Sequence, residues 1–327
     1  MEASLVPRAG IEFQAIPAAG LHGVNLTSLP GNVLQLIRGW RQAGEVLKRF
    51  KPDVLFFTGG YVGIPVALAG RQIPSVMYVP DIEPALALNW IGKWVDTVAV
   101  SVEASRTYFP ADKRVEVTGY PIRQELVGVE KAGARRFFDL SEELPVILIF
   151  GGSRGARSIN EAVWGILSKL LEKAQILHVT GRLDWPQVEA VRSGLPAKLA
   201  PHYHPHPYLH EEMAQALGAA DLVISRAGAA TIGEYPHFSL PAVLVPYPHA
   251  WRYQKVNADY LASQGAAVMV SDEALKEDLL PVVEDLLGDP NQLTEMGHAA
   301  ARLSRGNAAE RIADLVREAA GRGGSRG

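Results

Sequence analysis

The stretch that most limits how this chain can fold runs from Val146 to Asn160 and reads VILIFGGSRGARSIN. Five apolar residues, Val146 to Phe150, form a buried parallel strand in this reading. Gly151, Gly152, Ser153, Arg154 and Gly155 break the pattern, and Ile159, Val163, Ile166, Leu167 and Leu170 then recur at helical spacing. Strand, glycine turn and helix start, in that order, make an anion site. The helix N-terminus offers unpaired N–H groups and a partial positive charge, and glycine lets a phosphate approach the backbone. Ser153 adds a hydroxyl donor. A plain βα turn without a ligand is the other reading, because the motif is neither a Walker loop nor a G-x-G-x-x-G fingerprint.

The same alternation extends in both directions. Toward the N-terminus, strands are expected at 11–16, 53–58, 75–79, 97–100 and 115–117, with an amphipathic helix over 29–50 and a second glycine turn from Gly59 to Gly63. Toward the C-terminus, strands near 176–180, 221–225, 242–245 and 267–270 alternate with helices, and a short strand falls within 202–209. Apolar strands alternating with helices imply an α/β protein with two doubly wound, Rossmann-like domains and a ligand cleft at the strands' carboxyl ends. The expected division is a first domain over 1–123, a linker over 124–143, a second domain over 144–305, and a terminal helix with a frayed tail over 306–327.

Composition removes several classes of function. The 327 residues leave room for two cores, and a net charge of −3 gives no general attraction to nucleic acid. There is no cysteine, so disulfides, thiolate metal sites and cysteine nucleophiles are excluded. No apolar run approaches the ~18 residues of a membrane span, and no signal peptide is expected from the polar stretch Met1 to Gly10.

Four further segments bear on function. In DLVISRAGAATIGE, Asp221 to Glu234, Gly228 permits close backbone approach, Thr231 offers a hydroxyl, and Glu234 sits in the first turns of a helix. A carboxylate there suits a ribose diol, although a helix-capping acid would have the same placement. In YPHAWRYQKVN, Tyr247 to Asn257, His249, Arg252, Gln254 and Asn257 form a polar cluster after a strand end, where Gln254 can both donate to and accept from sugar hydroxyls. His202, His204, His206 and His210 are interrupted by Pro201, Pro205 and Pro207, and no metal site is expected. On the first helix, apolar residues around Trp40 are flanked by cations. A core-facing helix with a solvated rim is the plain explanation, and contact with a membrane surface the sharper one.

GGYVGIP at Gly59, GYPIR at Gly119, GGSRGARSIN at Gly151, SRAGAATIGE at Ser225 and RYQKVNA at Arg252 occur in one order. Together they resemble the MurG-type N-acetylglucosaminyltransferases of peptidoglycan synthesis, glycosyltransferase family 28, over nearly the whole chain. The resemblance implies the glycosyltransferase-B architecture. It also implies inverting, metal-independent transfer of GlcNAc from UDP-GlcNAc to undecaprenyl-diphospho-MurNAc-pentapeptide, without a cofactor, at the cytoplasmic face of the membrane. Carried over by position, Arg123 would contact the donor, and Gly152 and Ser153 would hold its diphosphate. The backbone near His210 would read the uracil. Ala229, Ala230, Thr231, Ile232, Gly233 and Glu234 would line the nucleotide with Glu234 on the ribose, and Gln254 would bind GlcNAc. Leu34, Ile37 and Trp40 match the family's membrane patch. A related transferase with another lipid or glycan acceptor, or a UDP-sugar-binding protein without turnover, would share the donor motifs.

Two departures from the family pattern stand out. The family opens with a strand and a G-G-T-G-G-H turn carrying the histidine proposed as its base. Met1 to Pro7 here matches a segment downstream of that, so about 30 or more residues, a βαβ unit, are expected to be missing from an incomplete first domain, leaving unpaired sheet edges. The family's asparagine after strand 75–79 is Asp81 here. No catalytic base is assigned from sequence, and Asp81 is a candidate replacement.

Overall fold

The computed structural model describes residues 2–8, 10–18, 29–152, 155–249 and 252–323. They divide into two compact units, one of residues 1–80, 84–118 and 310–327, the other of residues 81–83 and 119–309.

In the first unit the described residues form helices α1 (Glu2–Arg8) and α2 (Leu29–Phe50), then β1 (Leu55–Phe57), α3 (Gly63–Ala69), β2 (Ser75–Val79), α4 (Leu86–Gly92), β3 (Thr97–Val100) and β4 (Arg114–Val117). The sheet is parallel in the order β1-β2-β3-β4. Its central strands are apolar on both faces because both faces are covered. Met77, Val79, Val98 and Val100 point into one core with Leu88 and Ile91 of α4. On the other face Tyr78 and Ala99 meet Ile312 and Leu315 of the last helix, Ala308–Gly323. Arg114 fastens that helix through two parallel bonds of 2.9 Å to the Glu318 carboxylate.

The strand expected at 11–16 does not form. Among the described residues this segment has no ladder partner, and a strand's N–H and C=O groups need one. It lies instead against α2: Gln42 donates to the Ala15 carbonyl at 3.5 Å, Arg49 donates to Gln14 Oε1 at 2.7 Å, and Gly39 faces the Pro17 carbonyl. β1 is therefore an edge of the described sheet, and Phe56 on it is 44% exposed.

The second unit contains α5 (Lys131–Phe137), β5 (Val146–Phe150), α6 (Arg157–Leu171), β6 (Gln175–Val179), α7 (Val188–Ser193), β7 (Tyr203–His206), α8 (Met213–Ala219) and β8 (Leu222–Ser225). It continues with α9 (Thr231–His237), β9 (Ala242–Leu244), α10 (Tyr253–Ser263), β10 (Ala267–Met269), α11 (Leu275–Gly288) and α12 (Pro290–Leu303); the last helix is α13. All six strands are parallel, in the order β10-β9-β8-β5-β6-β7. Alternate residues of β5 feed two cores: Val146 and Leu148 on one face, Ile147 and Ile149 on the other. Residues 124–143, expected as a linker, are ordered here. Leu126, Ala134, Phe138 and Leu140 are buried in the second unit's core, and Arg135 reaches Asp221 at 2.6 Å. The polar surface of this segment conceals its apolar contacts, which is why it reads as a linker.

The strand order fixes where a ligand can sit. From β5 the chain steps to β6 and β7 on one side, then returns to β8 on the other. The loops leaving the carboxyl ends of neighbouring β5 and β8 therefore diverge to opposite faces and open a crevice between them.

Candidate functional site

A cavity of about 1000 Å³ occupies that crevice. Gly151, Gly152 and Gly155 line it from the β5 loop, Gly228, Ala230, Thr231 and Glu234 from the β8 loop and α9, and Tyr247, His249 and Gln254 from the β9 loop and α10. The β5 loop needs glycine. Gly152 and Gly155 have φ of 86° and 76°, and a Cβ on Gly155 would stand 2.6 Å from the Thr180 carbonyl oxygen. Behind the turn, α6 begins at Arg157 and aims its unpaired N–H groups at the cavity.

Charge in the cavity wall is organised in pairs. The Arg157 Nε donates to Asp184 Oδ1 at 2.9 Å, and buried Asp184 also accepts from Asn160 at 2.8 Å. Arg157 remains largely exposed, leaving donors for a ligand beside the helix terminus. The nearly buried Arg226 guanidinium binds Asp272, Ser158 Oγ at 2.7 Å and the Val245 carbonyl at 3.2 Å, with the Tyr247 ring 5.3 Å away. One side chain thus ties together the loops after β8, β9 and β10 and the start of α6.

Glu234 is 8% exposed and accepts from Arg123 Nε at 3.3 Å. Burial raises its pKa, and the Arg123 charge pulls it back down. Gln254 Oε1 is used by the Tyr247 N–H at 2.9 Å, so its Nε2 group is what remains for a ligand. The Thr231 hydroxyl donates to the Gly228 carbonyl at 2.7 Å, which fixes the turn.

The expected donor residues fall into four groups. Gly152, Ala230, Thr231, Glu234 and Gln254 share one cavity. Arg123 reaches it only through Glu234, and Ile232 and Gly233 face inward, Ile232 into the protein and Gly233 against Tyr120, whose Cβ would lie 2.5 Å from an added Cβ. Ala229 is also outside the lining. His210 is not brought to this cavity: it lines a separate one of about 550 Å³ with Phe137, His206 and Tyr208, and its N–H is taken by Glu212 at 2.9 Å. The β7–α8 turn carries it there, which spacing along the sequence does not reveal. Ser153 lies outside the described residues. Arg157, Asp184, Arg226 and Asp272 were missed as site residues. Their common signal is position just beyond strands or at a helix start, where ligands bind in parallel sheets. Among the described residues, no three His, Asp or Glu side chains converge as a metal site.

In the first unit, Leu34, Ile37 and Trp40 on α2 are 48%, 44% and 49% exposed, whereas Ala43 is buried. The core-facing explanation therefore fails for these three. Trp90 on α4 is also exposed, with Lys93 Nζ 4.3 Å from its ring centre.

Two parallel-sheet α/β units, the second with a glycine-lined crevice at its topological switch, define a glycosyltransferase-B protein. Residues 146–315 match the glycosyltransferase family 28 C-terminal domain and residues 1–99 the glycosyltransferase family 28 N-terminal domain. Over 97% of its length the chain is 39% identical to a UDP-N-acetylglucosamine–N-acetylmuramyl-(pentapeptide) pyrophosphoryl-undecaprenol N-acetylglucosamine transferase of Roseiflexus sp., covering 81% of that protein. It is 37% identical to the enzyme of the same name from Desulforudis audaxviator, over 99% of the chain and 88% of the relative. The crystal structure of Acinetobacter baumannii MurG superposes with a TM-score of 0.77 at 26% identity, over 97% of this chain and 88% of that one. The chain belongs to glycosyltransferase family 28, among the MurG N-acetylglucosaminyltransferases.

Proposed function

We propose that the protein transfers GlcNAc from UDP-GlcNAc to undecaprenyl-diphospho-MurNAc-pentapeptide, inverting the anomeric centre. The observation that carries this reading is the convergence of the β5 glycine turn, Glu234 and Gln254 on one cavity in a chain 37–39% identical to enzymes named for that reaction. The α6 N-terminus and the exposed side of Arg157 face the space suited to a diphosphate, and both stabilise the negative charge that grows on departing UDP. Glu234 accepts from the ribose hydroxyls. Gln254 Nε2 donates to the sugar. The acceptor 4-hydroxyl attacks C1 from the face opposite the leaving group, which inverts the centre in one displacement.

The acceptor is anchored in lipid, so the enzyme works as a peripheral protein at the cytoplasmic face of the membrane. Among the described residues no helix is long and apolar enough to cross a membrane. The exposed Leu34, Ile37 and Trp40, with Arg38 and Arg41 beside them and Trp90 and Lys93 on α4, have the apolar and cationic character of an interfacial surface.

Calorimetry with UDP-GlcNAc, followed by an assay of UDP release in the presence of the lipid-linked acceptor, tests the reading. Gln254→Ala is expected to weaken UDP-GlcNAc about tenfold while leaving UDP nearly unaffected, since one hydrogen bond to the sugar is lost. No binding at millimolar donor would refute the proposal.

A further inference from the structure

We propose that Asp81 is the general base that takes the proton from the acceptor hydroxyl. This rests on the transferase reading above and adds the one catalytic group that the donor site lacks.

The argument starts from how the other carboxylates are used. Those buried in or beside the cavity each hold a guanidinium: Glu234 with Arg123 at 3.3 Å, Asp184 with Arg157 at 2.8 Å, Glu83 with Arg252 at 2.6 Å, and Asp272 with Arg226. A carboxylate so paired is a poor base, because protonation would strand the cation. Asp81 differs. Its Oδ1 accepts one bond from the neutral amide of Asn257 at 2.8 Å, and among the described residues its Oδ2 has no hydrogen-bond partner and no cation is paired with it. Asp81 is half-buried, and a partly desolvated carboxylate without a cation holds a proton more readily than a paired one.

Asp81 does not itself line the cavity, but Asn257 ties it to the wall that carries Gln254. Asn257 lies three residues beyond Gln254 on α10, hence one turn along the same face. The same Asn257 amide donates to the Ala227 carbonyl at 3.1 Å, immediately before the Gly228 turn that lines the cavity. Its Oδ1 accepts the Ile82 N–H at 3.2 Å, so one side chain clamps the Asp81 segment to the β8 loop. The charged and titratable groups around Asp81 are Tyr120, whose phenol senses both Asp81 and Glu234, then Arg123 behind Glu234, and the Glu83–Arg252 pair two residues on. Burial lifts the Asp81 carboxyl above its ordinary value, and the Asn257 bond opposes that only in part.

In the step, the acceptor O4–H proton passes to Asp81 Oδ2 as O4 bonds to C1. The C1–O bond to the diphosphate breaks, and its electron pair leaves with UDP. The products are the glycosylated acceptor, UDP and protonated Asp81, which returns its proton to solvent.

The test compares the whole protein with Asp81→Asn, which keeps shape and removes basicity. UDP-GlcNAc affinity by calorimetry should stay within threefold, which also reports an intact second unit. Turnover with a short-chain polyprenyl-diphospho-MurNAc-pentapeptide should fall roughly 10²–10⁴-fold. The wild-type rate should decline on the acid side as Asp81 protonates, and that limb should vanish in the variant. Asp81→Ala should regain part of its rate when formate is added. Turnover within threefold of wild type, or an acid limb that persists in Asp81→Asn and so belongs to another group, would overturn the assignment. So would a wild type that binds donor yet transfers nothing. A wild type that fails to bind UDP-GlcNAc at all would instead sink the transferase reading itself.

Discussion

His178 lies wholly buried at the centre of a hydrogen-bonded chain. Its Nε2 meets Asn160 Oδ1 at 3.0 Å and its Nδ1 meets the Tyr203 hydroxyl at 3.2 Å, while Asn160 reaches Asp184 in the cavity wall. Burial lowers its pKa to about 3, so the folded protein keeps it neutral where an unfolded chain would protonate it. The unfolded state then binds the extra proton between pH 6.5 and about 3. Stability from this residue is complete above that window and is lost as pH falls through it, by up to about 1.4 kcal/mol per pH unit. Urea titrations across that range should show the slope in wild type, and His178→Gln should flatten it. Asp81 works in the opposite sense. Its raised pKa makes the folded state the better proton binder, so Asp81→Asn should raise Tm at pH 7 to 8, and the gain should shrink as pH falls below the raised value. At this scale the sequence was informative only where a residue sits on a recognisable turn. Glu234 and Gln254 follow glycine-marked or strand-end positions. The pairs Arg157–Asp184 and Arg226–Asp272 join residues 27 and 46 apart, and such partnerships appear only when strands are laid side by side.

Among the elements, the β5–α6 turn is the most sharply specified. Gly155 combines a left-handed φ with a carbonyl 2.6 Å from where a Cβ would stand. Gly155→Ala should therefore destabilise the protein by about 1–3 kcal/mol and weaken UDP binding, as chemical denaturation and calorimetry would report. The helix α2 runs from Leu29 to Phe50, as its apolar period predicts, but the period alone does not say which face is covered. Gly39 and Ala43 face inward, and Leu34, Ile37 and Trp40 do not. Trp40→Ser is expected to weaken binding to anionic vesicles about tenfold in co-sedimentation, roughly the worth of one large apolar side chain at an interface. The segment 11–16 shows the converse. Its alternating residues have strand character, yet no neighbouring strand meets them among the described residues, and local preference without a partner makes no sheet.

Across the whole molecule, alternation of strands and helices was enough to specify two parallel-sheet units, because buried parallel strands leave long apolar runs. The division of the chain was less legible. Residues 81–83 belong with the second unit and residues 310–327 with the first, and no composition shift marks either crossing. UDP should act on one unit preferentially: at one hundred times its Kd it should stabilise the second unit by about 2.7 kcal/mol, raising that transition in calorimetric scans with a smaller effect on the other. The position of α13 has a consequence for biosynthesis. The ribosome delivers β1 to β4 before the second unit, yet the helix that covers Tyr78 and Ala99 follows that unit. The sugar-nucleotide lobe can thus mature while its elder neighbour still waits for a lid, and a nonsense codon just before α13 would strike the half of the protein translated first.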